Sequence, residues 1–127
     1  MQEKKDSNKL QLIPKIEKYM EYMMHVIIKL PRVEKFSIGT EYKKSMYNMM
    51  SGVVKIAKID DKDKCLSELN TIDAELNMQR IYLRIMVKEK WIDYKKFQVS
   101  MDQIYEIGKI LGGLIKYYAK NIKKWIW

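Results

Sequence analysis

Apolar residues recur at spacings of three and four through four long stretches of this 127-residue chain, and little interrupts them. Such spacing gathers one side chain per turn onto a common face, which defines an amphipathic α-helix. The chain holds only 5 Gly and 2 Pro. A β-rich chain needs a turn roughly every ten residues, and so few breakers cannot supply them. Hydrophobic residues make up 47% of the sequence, enough to build a continuous core from the helical faces.

The first predicted helix runs from Leu10 to Leu30, with Leu12, Ile16, Tyr19, Met20, Met23, Ile27 and Leu30 facing inward. Pro14 is expected near its start, where a missing N–H is tolerated, and Pro31 closes it. Residues 1–9 read as a polar tail. After the connector Arg32–Phe36, Ser37 is the expected N-cap of a second helix with Ile38, Tyr42, Met46, Met49, Val53 and Ile56 inward. That helix fades at Ile59–Asp61. The third begins near Asp61 or Asp63 and buries Leu66, Leu69, Ile72, Leu76, Leu83 and Met86. A second apolar stripe on it, Ala74, Met78, Ile81 and Ile85, points elsewhere and suggests a further packing partner such as another subunit. The fourth follows Ser100, with Met101, Ile104, Ile107, Leu111, Leu114 and Tyr118 inward. Gly108 and Gly112, four apart, are expected to permit close helix approach. The expected fold is all-α, a single up-down-up-down four-helix bundle over residues 1–127.

The same sequence argues against several chemistries. One cysteine, Cys65, allows neither an intrachain disulfide nor a Cys-based zinc site, and it reads as a small core residue. One histidine, His25, has no partner at ligand spacing. No Glu-x-x-His motif is present, and Gly112-Gly113 sits inside a helical pattern without the Lys-Ser or Lys-Thr of a phosphate loop. No cofactor, metal or catalytic set is expected. The polar start lacks a signal-peptide core, and no stretch reaches the roughly 20 apolar residues of a membrane span. A soluble, cytoplasmic protein is the expectation.

The net charge of +9 attracts phosphate backbones or anionic surfaces. Residues 60–75 carry −4 and residues 76–90 carry +3. That gradient fits complementation of a helix dipole. It equally fits a basic ridge of Arg80, Arg84 and Lys88 contacting phosphates, and both readings stand. Residues 91–127 carry +4, with Lys109, Lys116, Lys120 and Lys123 near one face and Tyr117, Tyr118, Trp125 and Trp127 among them. Such aromatics can stack on bases, anchor at a membrane interface, or cover the end of the bundle. Residues 31–59 also carry +4, so the charge is spread over several elements.

Two stretches carry a family resemblance: Leu30-Pro31-Arg32-Val33-Glu34-Lys35-Phe36-Ser37-Ile38-Gly39, and Leu83-Arg84-Ile85-Met86-Val87 with the later Glu106-Ile107-Gly108-Lys109-Ile110-Leu111-Gly112-Gly113-Leu114-Ile115-Lys116. The chain resembles the four-helix-bundle family of the accessory variability determinant (Avd) of diversity-generating retroelements. Proteins encoded in intervening sequences of bacterial 23S ribosomal RNA genes are close relatives. The resemblance implies a non-catalytic, barrel-like homopentamer. It implies binding of RNA or DNA through a basic surface and association with the element's reverse transcriptase during mutagenic copying. By position it points to Arg32 and Lys35, to Arg84, and to Lys109 and Lys116, beside the ridge residues Arg80 and Lys88. The ribosomal intervening-sequence branch and an oligomeric scaffold without a nucleic-acid role are the alternatives.

Overall fold

The computed structural model describes residues 2–126, with side chains described for residues 9–121. Its helices are α1 (Gln2–Ile28), the four-residue α2 (Arg32–Lys35), α3 (Ile38–Ile56), α4 (Lys62–Lys88) and α5 (Tyr94–Ile126). The four long helices form a closed ring of neighbours: α1 packs on α3, α3 on α4, α4 on α5, and α5 back on α1. Consecutive partners run antiparallel. Tyr19 meets Tyr42 whereas Ile27, two turns on, meets Gly39. Ser45 likewise meets Glu75 whereas Gly52 meets Ile72, and Gly108 meets Arg80 whereas Tyr118 meets Cys65. The all-α bundle expected from the spacing is the observed architecture.

The apolar stripes set this packing. Leu12, Ile16, Tyr19, Met23 and Ile27 of α1 are buried, as are Tyr42, Met46, Met49, Val53 and Ile56 of α3. From α4 come Leu69, Ile72, Leu76, Leu83 and Met86, and from α5 Ile104, Ile107, Leu111, Leu114 and Tyr118. Each large side chain so enclosed stabilises the fold by about 1.5–3 kcal/mol relative to exposure. Cys65 is a buried core residue.

Several element boundaries differ from the sequence reading. The backbone of α1 is helical from Gln2, so the polar tail and Leu10 belong to the helix and Pro14 lies well inside it. Polar residues at a helix start carry no periodic apolar signal, which is why the spacing missed them. Ser37 does not cap α3; its hydroxyl donates backwards to the Val33 carbonyl at 2.9 Å. Asp61 does cap α4, accepting from the Lys64 N–H at 3.1 Å. The last helix starts at Tyr94 and not after Ser100. Asp93 supplies the cap, its carboxylate accepting from the Lys96 N–H at 2.7 Å, and Ser100 is buried mid-helix with its hydroxyl donating to the Lys96 carbonyl. Of the two glycines expected to bring helices together, Gly108 does and Gly112 faces open space. α3 instead comes close to α4 at Gly52, where a Cβ would stand 2.6 Å from the Ile72 side chain.

One position of the inward stripe of α4 is polar. Gln79 is fully buried and sits at the centre of a hydrogen-bonded chain across three helices. The Tyr19 hydroxyl donates to Gln79 Oε1 at 2.7 Å, so its bond to Tyr42 is one in which Tyr42 donates. Gln79 Nε2 donates to Ser45 Oγ at 3.0 Å, and Ser45 faces the Glu75 carboxylate at 2.9 Å. Asn48 closes the chain with a bond to Glu75 at 3.2 Å. Burial pushes the Tyr19 and Tyr42 phenols far above their ordinary value, so both stay neutral donors.

Candidate nucleic-acid interface

Arg80, Arg84 and Lys88 occupy successive turns of α4, and the structure divides them by role. Arg84 and Lys88 are exposed, and neither forms an ion pair among the described residues. Arg80 is only half exposed. Its Nη1 donates to Asn77 Oδ1, and its Nη2 lies where a Cβ on Gly108 would come within 2.7 Å. The guanidinium is therefore seated against the α5 backbone, in space that Gly108 leaves free. Arg80 ties α4 to α5 while keeping one edge towards solvent.

The acidic start of α4 has its own structural work, which makes the charge gradient of this helix more than a dipole effect. Asp61 caps the helix, and Glu75 turns inward to accept from Ser45 and Asn48. Arg84 and Lys88, by contrast, hold their charge in solvent.

On α5, Lys109 and Lys116 are exposed and seven residues apart, which places them two turns apart along one outer face. Lys120 is exposed on that same side. Aromatic interleaving does not hold for Tyr118, which is buried beneath the Lys9 ammonium at 5.2 Å from its ring centre. Tyr117 is half-buried and meets the Tyr118 ring edge-on at 5.1 Å between centres. Lys123, Trp125 and Trp127 lie outside the residues whose side chains are described.

Arg32 and Lys35 stand apart from these, on α2 at the end of the bundle that carries two connections. Arg32 is exposed, and Lys35 places its ammonium 5.8 Å from the centre of the Phe36 ring. Val33 of α2 and the adjoining Phe36 are 73% and 71% exposed, so apolar surface lies beside these cations. Around the two connections at this end, residues 29–37 and 88–96, seven basic residues face three acidic ones. The nine residues around the connection at the opposite end, 56–64, hold three basic and three acidic ones. Spacing within single helices could not expose this gathering of cations, because it joins segments distant in sequence.

The arrangement offers exposed cations on three elements. His25 is exposed and Cys65 buried. Among the described residues, no three His, Cys, Asp or Glu side chains stand close enough to hold a metal ion. Burial raises the Tyr22 and Tyr118 phenols, and the Lys96 N–H lowers the Asp93 carboxyl. Among the described residues, no helix is long and apolar enough to cross a membrane.

The second apolar stripe of α4 is confirmed as a surface feature. Met78, Ile81 and Ile85 are 40%, 41% and 40% exposed, on the side of α4 opposite its buried stripe. A family model described as bAvd-like matches residues 10–118, which covers all four long helices in whole or part. No curated protein matches the chain.

Proposed function

The chain belongs to the bAvd-like family, and on that premise we propose that it is a non-catalytic accessory protein of a diversity-generating retroelement. In this reading it binds RNA or DNA through its basic surface and associates with the element's reverse transcriptase in the cytoplasm. The observation that carries the reading is the family match over residues 10–118 together with a set of solvent-facing cations on separate elements. Arg84 and Lys88 on α4, Lys109 and Lys116 on α5, and Arg32 and Lys35 on α2 are the proposed phosphate contacts. Cations spread over several convex faces suit backbone contacts and do not suit base reading, which needs an element fitted to a groove. Arg80 contributes by holding α4 against α5 at Gly108 and by its solvent-facing edge. Homo-oligomer formation, with a pentamer as the expected size, has support in the exposed Met78, Ile81 and Ile85 stripe.

Fluorescence anisotropy with a structured RNA and a mixed-sequence duplex DNA, repeated over a series of salt concentrations, tests the reading. Affinity should fall steeply as salt rises, because each neutralised phosphate releases bound counterions. Absence of binding to either probe at low salt would remove nucleic acid from the function and leave an oligomeric scaffold.

A further inference from the structure

Below the α4–α5 connection, where the end of α1 approaches it, lies an open cavity of about 450 Å³. That volume is within the range of about 300–1,000 Å³ typical of clefts that hold small ligands. Three basic residues, Lys29, Lys90 and Lys96, and two aromatic ones, Trp91 and Tyr94, are among the residues that line it. Its single carboxylate, Asp93, is already engaged. It accepts the Lys96 N–H at 2.7 Å and lies 3.6 Å from the Lys96 ammonium. Lys29 and Lys90 have no such counter-charge among the described residues. Tyr94 is 66% exposed; its hydroxyl accepts from the Gln98 amide at 2.5 Å and its ring centre lies 6.1 Å from that of Phe97, which holds the ring in place beside the cations.

The backbone at Lys90 adds a separate observation. Lys90 has a φ of 63°, the left-handed conformation that normally favours glycine. It ends α4 in a Schellman turn, with the Trp91 N–H bonded to the Met86 carbonyl at 2.9 Å and the Lys90 N–H to the Val87 carbonyl at 3.1 Å. Glycine would make this turn with less strain but would leave the cavity one cation short.

Two ammonium groups without an ion pair among the described residues, Lys29 and Lys90, beside the exposed Tyr94 and the partly buried Trp91 fit a ligand that joins an anion to a flat aromatic group. We propose that this cavity takes one unpaired nucleotide of a single-stranded nucleic acid, with the base against Tyr94 and Trp91 and its phosphate between Lys29 and Lys90. The proposal rests on the nucleic-acid reading above and gives it a local site. A strand is favoured over a free nucleotide because the cations continue beyond the cavity. Lys88 and Arg84 follow along α4, their backbones about 6 Å apart along the helix axis for a four-residue step. A duplex keeps its bases stacked inside and cannot offer one to the cavity without losing pairing.

The test uses the full chain, a labelled mixed-sequence single-stranded RNA and a duplex DNA, with Tyr94→Ala and Lys90→Gly as variants. Tyr94 is exposed and glycine suits the backbone at position 90, so both variants should fold, as circular dichroism will show. Tyr94→Ala should weaken single-strand binding about tenfold, within the range seen when a stacking ring is removed. Lys90→Gly should weaken it severalfold, and for both variants duplex affinity should fall clearly less than single-strand affinity, because the phosphate contacts proposed for a duplex are mainly Arg84, Lys88, Lys109 and Lys116. Single-strand binding unchanged by both substitutions would overturn the cavity proposal while leaving the proposed function intact. Equal losses for strand and duplex would also overturn it, assigning these residues to the general basic surface. Binding of a free nucleoside monophosphate as tight as that of the strand would overturn the strand assignment. Displacement of the strand by a glutamate-rich peptide at lower concentration than by nucleotides would assign the cavity to an acidic protein partner. If the unmodified protein binds neither RNA nor DNA at low salt, the proposed function itself fails and the cavity proposal with it.

Discussion

Three small changes at single residues separate backbone preference from packing. Gly52 and Gly112 both lie in helices, where alanine is preferred to glycine by about 1 kcal/mol. At Gly112 the added carbon would meet nothing within 4 Å beyond its own stretch of helix, so Gly112→Ala should stabilise the fold by about that amount. At Gly52 the carbon would meet Ile72 Cγ1 at 2.6 Å and Glu68 Oε1 at 2.9 Å. Ile72 is buried and branched at Cβ, so it cannot swing away. Overpacking of this kind costs about 1–3 kcal/mol, and Gly52→Ala should therefore be neutral to destabilising despite the better helix former. Urea unfolding of the two variants side by side checks that Gly112→Ala gains stability and Gly52→Ala does not. Lys90→Gly should raise stability by about 1 kcal/mol, because only the left-handed strain is removed.

Asp93 supplies the pH-dependent case at this scale. Its carboxyl is held below the usual 3.8, first by the Lys96 N–H that it accepts as cap of α5. A depressed folded value means that the charged form is the bonded one. The contribution is therefore fully present above the unfolded value and is lost as pH falls through the lower folded one. The stability gap between the protein and an Asp93→Ala variant should be flat from neutral pH downwards and close only at acidity below 3.8. A gap that closed nearer pH 6 would refute the assignment of the cap to this carboxylate.

Among the elements, α4 carries most of the specificity of the fold. It touches α3 through Gly52, Ser45 and Glu75, and α5 through Gly108 and Arg80. It also places Gln79 where the Tyr19 and Ser45 hydroxyls both find a partner. Replacing Gln79 by leucine would bury more apolar surface yet strand the Tyr19 donor. A buried polar group left unpaired costs about 1–3 kcal/mol. Gln79→Leu is therefore expected to lower stability, and Tyr19→Phe in the same chain should add less than it does alone. A double-mutant cycle by thermal or urea unfolding measures that coupling. On its outer side the same helix displays Met78, Ile81 and Ile85, which the bundle does not use. With Ile81 and Ile85 both changed to Lys, the assembly expected here should dissociate to a species near the 15.3 kDa chain mass while keeping its helical content. Light scattering coupled to size exclusion reads the outcome. An unchanged mass would place the subunit contact on another face.

For the whole molecule, the issue is where the net charge of +9 acts. Two connections with a basic surplus share one end of the bundle, and the single connection at the other end has none. Arg84→Ala with Lys88→Ala removes two exposed cations beside that basic end without touching the Arg80 contact at Gly108. If each meets a phosphate, the slope of log affinity against log salt should become shallower by about 2 for duplex DNA. Affinity should fall for all sequences alike, because phosphate contacts carry no base information. An unchanged slope would move the contact surface to α2 and α5.

Periodicity alone determined that this chain forms four long helices and which face of each is buried, because burial of one stripe repeats in sequence every three or four residues. It also exposed the spare stripe of α4, since an apolar row opposite the core breaks the expected pattern. Family membership was legible in the connector after Leu30 and in the glycine-containing stretch of α5. The start of α1, the Asp93 cap and the buried Ser100 were hidden because caps and polar helix turns have no period. Gln79 escaped for a related reason: a buried amide looks like a surface residue until its partners on α1 and α3 are known. The tight seat at Gly52, the division of labour between Arg80 and Arg84, and the cavity under the α4–α5 connection exist only between elements. Distances across helices decide them, and no spacing along one helix encodes those distances.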